Sequence, residues 1–321
     1  MGENRELPLV SIIIPVYNGS EYMREAIDSA LNQTYPNLEV LVVNDGSRDD
    51  GATERIALSY GDKIRYISKP NGGVSSALNE GIRHMKGEYF SWLSHDDAYT
   101  PNKVANQVAT LLEAKDLQAV ALCGHRQIDK NSAFLGDARS ALRFQKSCVL
   151  DWQEALIALF QQGCYNGCAF LIPKRVFDEC GGFHEGLRYS QDMLMWIRIF
   201  LKGNTLVYRD QADVYCRVHD KQLTQTGKAL FHSDSKAIGD LVIPALCGAS
   251  DGNGNVLFYY AKYNAVYLNT AVVKDCMIAA KQKKLFAVGQ KLQLRGLLIY
   301  GGVRPLIRKV YYRIFKRVKT Q

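Results

Sequence analysis

Asp96 and Asp97 stand side by side just past the strand-like run Tyr89-Phe90-Ser91-Trp92-Leu93, after the polar step Ser94-His95. Two adjacent carboxylates at the end of an apolar run are costly to bury unless a cation or donors meet them. At the carboxyl end of a parallel strand they occupy the place where α/β proteins hold ligands. Their hard oxygens suit Mg²⁺ or Mn²⁺ bridging to a substrate diphosphate. Taken alone, an Asp-Asp pair also reads as a solvated turn or a helix cap.

The elements that position this pair follow from hydrophobic period. Val10-Ser11-Ile12-Ile13-Ile14, Val40-Leu41-Val42-Val43 and Ile64-Arg65-Tyr66-Ile67 are short apolar runs of the kind buried in a parallel sheet. Between the first two, Asn18-Gly19-Ser20 marks a turn and a candidate helix cap. Met23, Ala26, Ile27, Ala30 and Leu31 then recur at helical spacing until Tyr35-Pro36-Asn37. Val74 to His84 reads as a second helix leading into the strand before Asp96. Strands alternating with helices imply right-handed βαβ crossovers, so the post-strand turns share one edge. Pro15-Val16-Tyr17-Asn18, Asn44-Asp45-Gly46-Ser47, Lys69-Pro70-Asn71-Gly72-Gly73 and His95-Asp96-Asp97 therefore face one crevice. Farther on, Val120 to Cys123 and Cys168 to Ile172 read as strands, Val176 to Cys180 as a short helix stopped by glycine, and Asp192 to Leu201 as a helix. Beyond about residue 226 helical patterns take over. The expected division is a domain over 1–225 and a helical region over 226–321. Neither a P-loop nor a Gly-x-Gly-x-x-Gly fingerprint follows the first strand, which counts against a nucleotide triphosphatase or a dinucleotide dehydrogenase.

These residues resemble the family 2 glycosyltransferases of the GT-A fold, inverting and of the bacterial surface-polysaccharide type. The resemblance rests on Val10 through Asn18, Val42 through Ser47, Asn71-Gly72-Gly73 through Ala77-Leu78-Asn79-Glu80-Gly81, Leu93 through Asp97, and Tyr189-Ser190-Gln191-Asp192. It covers roughly residues 8 to 220. It implies an α/β, Rossmann-like, mostly parallel sheet flanked by helices, with a C-terminal helical extension. It also implies metal-dependent, inverting transfer of a sugar from a nucleotide-diphosphate donor to a hydroxyl. In that pattern Pro15, Tyr17 and Asn18 belong to the base and ribose pocket, where an aromatic face stacks on a nucleobase. Asp45 accepts a base N–H, which points to uracil, with thymine or guanine as alternatives. Lys69 and Asn71 contact the donor, Asp96 lies near the ribose or metal, and Asp97 binds Mn²⁺ or Mg²⁺. Asp192 matches the catalytic base. His219, in Arg217-Val218-His219, is a candidate for the metal or diphosphate. Cys164-Tyr165-Asn166-Gly167 lies where the family shapes its acceptor site. Three departures stand out: Ser94 and Leu78 where the family often has Asp and Arg, and Gln191 where Glu is common. They leave one fewer carboxylate near the metal and one fewer basic contact.

The bulk composition, 321 residues with 47% hydrophobic and 22% charged, is that of a globular chain without low-complexity tracts. No apolar stretch is long enough for a membrane span, and the N-terminus lacks an apolar signal core. The eight cysteines form no Cys-x-x-Cys pair and read as small core residues in a reducing cytosol. Of the net charge of +8, seven basic residues lie beyond Gly302 with no acidic one, which leaves the rest nearly neutral. There, over about 303–318, Val303, Leu306, Ile307, Val310, Tyr311, Ile314, Phe315 and Val318 recur at helical spacing between the basic residues. That pattern suits an anionic membrane surface, or alternatively an apolar face docked on the body. The expected setting is therefore cytoplasmic, peripheral at the inner face of the cell membrane, with a glycan or lipid-linked oligosaccharide acceptor and no nucleic-acid partner. Two other classes remain open from the residues: a non-catalytic nucleotide-sugar-binding protein, and a nucleotidyltransferase.

Overall fold

In the computed structural model residues 7–135, 144, 146–220, 222, 228–248 and 253–300 are described. Contacts divide the chain into two compact units. One comprises Met1–Ala155 and Cys164–Leu230, the other Leu156–Gly163 and Phe231–Gln321.

The first unit is built on a nine-stranded sheet: β1 (Val10–Val16), β2 (Leu38–Asn44), β3 (Arg65–Ser68), β4 (Tyr89–Trp92), β5 (Ala98–Tyr99), β6 (Ala119–Ile128), β7 (Cys148–Leu150), β8 (Phe170–Pro173) and β9 (Thr205–Arg217). The order is β3-β2-β1-β4-β8-β6-β9-β5, with β7 also on β9. Among the described residues the helices between these strands are α1 (Met23–Leu31), α2 (Ala52–Leu58), α3 (Val74–His84), α4 (Lys103–Ala114), α5 (Trp152–Gln162), which passes into the second unit at Leu156, α6 (Arg175–Cys180) and α7 (Gln191–Leu201). β1 lies between β2 and β4, parallel to both, and every residue of it is buried. Ile12, Ile13 and Ile14 are fully covered, each worth about 1.5–3 kcal/mol of burial.

The expected parallel character belongs to β3-β2-β1-β4 and not to the whole sheet. β4 meets β8 antiparallel, β8 meets β6 antiparallel, and β6 runs parallel to β9. The sheet is thus mixed, with helices on its faces. β9 is a long strand whose pairing with β6 slips at Cys123/Gly124 and Gly124/His125. This bulge carries its far end back towards the edge where β1, β2 and β4 deliver their turns, ending at Arg217.

The second unit is helical in its described residues. It comprises α8 (Lys228–Gly248), α9 (Asn253–Val266), α10 (Thr270–Lys283) and a further helical stretch over 288–300. Phe160, Tyr260 and Tyr263 are buried in it and extend through Phe231 to the exposed Tyr267 as one aromatic cluster, with Phe160 and Tyr260 centroids 5.1 Å apart and Tyr263 and Tyr267 4.9 Å apart. No helix among the described residues is long and apolar enough to cross a membrane. The basic segment over 303–318 and the domain boundary near 226 lie outside the described residues.

Candidate active site

The first part of the crevice is a knot around Asp45. Its backbone N–H reaches Val16 O at 2.8 Å, which joins the ends of β1 and β2. Its carboxylate is buried and heavily donated to. Oδ1 accepts from Lys69 Nζ at 2.7 Å and Gly72 N at 2.9 Å, and Oδ2 accepts from Gly73 N at 2.7 Å. Asn71 Nδ2 donates to Asp45 O at 2.8 Å. Two glycines make this closure possible. Gly46 has φ +66°, and a Cβ there would lie 2.6 Å from Asn71 N; Gly73 has φ +88°. Asn18, itself left-handed at φ 50°, completes the knot. Its N–H donates to Ser47 Oγ at 2.9 Å and its Oδ1 accepts from Arg48 N at 2.7 Å. So Asn18 fastens one turn to the next, and the cap expected at Asn18-Gly19-Ser20 does not form: α1 begins at Met23 without a side-chain cap. Pro15 is buried in β1, while Tyr17, just past the end of β1, is 43% exposed.

The second part surrounds Asp96 and Asp97. Asp97 Oδ1 accepts from Arg217 N at 2.9 Å, and Oδ2 faces the Cys168 thiol at 3.4 Å. Burial, then the charge of Asp96, push its carboxyl well above the usual range. Asp96 Oδ2 lies 3.0 Å from His219 Nε2, whose ring packs on Tyr22 with centroids 5.1 Å apart. These partners come from the loop after β4, the turn before β8, the end of β9 and the entry to α1.

The third part is Asp192 at the start of α7. Its Oδ1 accepts from Met193 N at 2.7 Å, and Oδ2 faces Cys164 Sγ at 3.5 Å. Burial raises its carboxyl to about 6, against the opposing pull of the Met193 and Cys164 bonds. α7 is held by Trp196, fully buried and stacked on Phe170 at 4.1 Å, with Nε1 donating to Tyr165 O at 3.1 Å. The loop Cys164–Cys168 therefore has one thiol on Asp192 and the other on Asp97. A buried carboxyl raised to about 6 can take a proton from a hydroxyl, and paired carboxyl groups can offer hard oxygens to a cation.

Comparison with known proteins agrees. Residues 11–181 match the family model for glycosyl transferase family 2. The chain belongs to that family. An uncharacterized glycosyltransferase of Rickettsia typhi is 49% identical over 228 residues, 70% of this chain and 69% of that one. The chondroitin synthase of Pasteurella multocida is 44% identical over 195 residues, 60% of this chain and only 19% of the synthase. The chain also spans 30% of a longer Rickettsia bellii glycosyltransferase at 54% identity. Staphylococcus aureus TarS 1–349 shares the fold, at TM-score 0.67 and 17% identity with UDP-GlcNAc bound, covering 92% of this chain and 87% of that chain. Its UDP complex superposes at TM-score 0.62 and 19% identity, covering 81% and 71%. The GT-A architecture and glycosyl transfer follow.

In this glycosyltransferase the residues singled out in the sequence fall into the three parts just described: Pro15, Tyr17, Asn18, Asp45, Lys69 and Asn71 in the first, Asp96, Asp97 and His219 in the second, Asp192 in the third. The donor set fits a divalent cation in part. Asp96 and Asp97 supply hard oxygens whose mutual repulsion a cation would relieve, but among the described residues no three His, Cys, Asp or Glu side chains converge into a ready cage. Mg²⁺-type sites of one or two carboxylates plus substrate phosphates have that character. His219 Nε2 faces Asp96, so ligation through that nitrogen would require exchanging the contact.

Several participants were not visible in the sequence. Glu25, Ser132 and Asp129 are joined through Arg217, and Cys168 supports Asp97. Cys164, read as a core thiol, is exposed beside Asp192, because the loop carrying it turns outward before Tyr165 enters the core. The sequence signals for the pair were that Cys164 and Cys168 are the two most closely spaced cysteines, and that Cys164-Tyr165-Asn166-Gly167 lies where the resemblance places the acceptor site.

Proposed function

We propose that this enzyme transfers a sugar from a nucleoside-diphosphate donor, a UDP-sugar, to a glycan hydroxyl with inversion at the anomeric carbon. The observation that supports the reading is the loop Cys164–Cys168, whose two thiols meet Asp192 and Asp97 and so link a carboxyl raised to about 6 with the Asp96–Asp97 pair. Tyr17 stacks on the base, Asp45 Oδ2 takes its N–H beside the one it already accepts, and Asn18, Lys69 and Asn71 line the same pocket. Asp97, with Asp96 and His219 beside it, would hold Mn²⁺ or Mg²⁺. When bound, that ion stabilises charge on the leaving diphosphate. Asp192 takes the acceptor hydroxyl proton as the oxygen bonds to C1 and the C1–O bond to the diphosphate breaks with its electron pair. Attack from the opposite face needs no carboxylate nucleophile.

The acceptor in this reading is a lipid-linked glycan in surface-polysaccharide assembly. Residues 1–225 do the chemistry, and 226–321 bring it to an anionic membrane surface. Val288, Leu292, Ile299 and Tyr300 are exposed on a helical stretch that also carries Lys291 and Arg295, a pattern that favours the surface. The deciding experiment incubates the protein with UDP-sugars and Mn²⁺, reading released nucleotide by chromatography and product anomer by NMR. UDP release with an inverted product supports the proposal. Release of pyrophosphate or monophosphate would indicate a nucleotidyltransferase, and tight binding without release a non-catalytic module. Flotation with anionic vesicles tests the surface, and full activity on lipid-free sugars with no flotation would remove the membrane role.

A further inference from the structure

Arg217 is 1% exposed, a rare position for a guanidinium, and its contacts reach three separate segments. Its backbone N–H donates to Asp97 Oδ1, and Nε donates to Asp96 O at 2.9 Å. Nη1 donates to Asp129 O and to Ser132 Oγ, each at 3.0 Å. Nη2 donates to Glu25 Oε2 at 2.5 Å. Ser132 Oγ in turn lies 3.0 and 2.9 Å from the two Glu25 oxygens. The guanidinium carbon sits 4.7 Å over the Tyr22 ring, whose other neighbour is His219, the imidazole on Asp96. The charged fork thus points away from the aspartates towards Glu25, and only the backbone and Nε hold the Asp96–Asp97 turn.

We infer that Glu25 and Arg217 form a positioning pair for the Asp96–Asp97 turn, with Glu25 on α1 holding the guanidinium off the two carboxyl groups so that their oxygens stay open to a cation. The inference deepens the metal-dependent reading of the site and rests on it. Arg217 buried without a counter-charge would turn to the nearest carboxylates, Asp96 and Asp97, and compete for the oxygens a cation needs. Glu25 has a half-exposed side chain and lies outside the donor pocket, so its substitution leaves the pocket itself intact. Partners that orient metal-binding carboxylates typically change metal affinity 10–100-fold when replaced.

The experiment titrates Mn²⁺ into the full chain in the presence of saturating UDP, following free Mn²⁺ by electron paramagnetic resonance, for wild type, Glu25→Gln and Glu25→Asp, well below the melting temperature of each. UDP affinity in EDTA is measured alongside. The expected result is at least about a tenfold loss of Mn²⁺ affinity in Glu25→Gln, partial recovery in Glu25→Asp, and unchanged UDP affinity in EDTA. A purely structural role would lower the melting temperature and leave Mn²⁺ affinity alone, and that outcome overturns the inference. Wild type binding no Mn²⁺ with UDP present overturns the metal reading and this inference with it. Wild type binding Mn²⁺ while Glu25→Gln binds it equally well overturns this inference only.

Discussion

Asp45 and Asp97 are both aspartates at the ends of parallel strands on one sheet edge, yet their surroundings are opposite. Asp45 is closed by its own loop, with an ammonium and two backbone N–H groups on its carboxylate. Asp97 is equally buried, with one backbone N–H and one weakly donating thiol, and its neighbour is another carboxylate. Asp192 resembles Asp97 in this respect. A fully partnered buried carboxylate holds a shape, whereas an under-partnered one stores a demand for charge or a proton that a substrate complex can meet. Under the proposed function the Asp45 side is preformed, and the Asp97 and Asp192 side is completed by ligands.

The contrast is broken most sharply at Asp192. Asp192→Asn is expected to cut kcat by at least about 10²–10⁴-fold, the usual range for removing a general base, with UDP affinity unchanged in calorimetry. With the wild-type carboxyl raised to about 6, kcat/KM should rise with pH and level off above about 6, since the base works deprotonated. The same raised value has a sign for stability. The folded state holds a proton that the unfolded state has released, so the ligand-free protein loses stability as pH rises from about 3.8 to about 6. Asp192→Asn should flatten that slope in urea titrations.

Next in size is Asp97→Asn. It removes an under-partnered charge, so the ligand-free melting temperature should hold or rise, while the extra stabilisation by Mn²⁺ over UDP alone disappears. Asp45→Asn should behave in the reverse way. It leaves Lys69 Nζ and a glycine N–H short of an acceptor and is expected to cost about 1–3 kcal/mol of stability in denaturant unfolding, metal or no metal. Smallest in stability is Tyr17→Ala, within about 0.5 kcal/mol because the ring is exposed. Its donor affinity should nevertheless fall by about 1–3 kcal/mol in UDP titration, the worth of one stacked base.

The half of the molecule that reads easily in the sequence is the half whose strands are buried on both faces. β1 and β2 announce themselves as Val and Ile runs, and their turns fall on one edge by the handedness of the crossovers. β9 does not, because its residues alternate irregularly around the bulge opposite Gly124 and its partner β6 is remote in sequence. The mixed pairing of β8 has the same cause: nothing local in Phe170–Pro173 states which strands flank it. Among site residues, the aspartates stand in motifs, whereas the contacts that tune them are long-range. Glu25 meets Arg217 across 192 residues, Ser132 meets it across 85, and Cys168 meets Asp97 across 71. Leu156–Gly163 belongs by its contacts to the second unit, and its apolar helical pattern carries no mark of that allegiance.

The most direct measurement is a calorimetric titration of UDP into wild type and Asp97→Asn, each with Mn²⁺ and with EDTA. The expected result is that Mn²⁺ strengthens UDP binding at least about tenfold in wild type and not at all in Asp97→Asn, with the two proteins equal in EDTA. Equal enhancement by Mn²⁺ in both proteins, or a loss of UDP binding in Asp97→Asn even in EDTA, would contradict it.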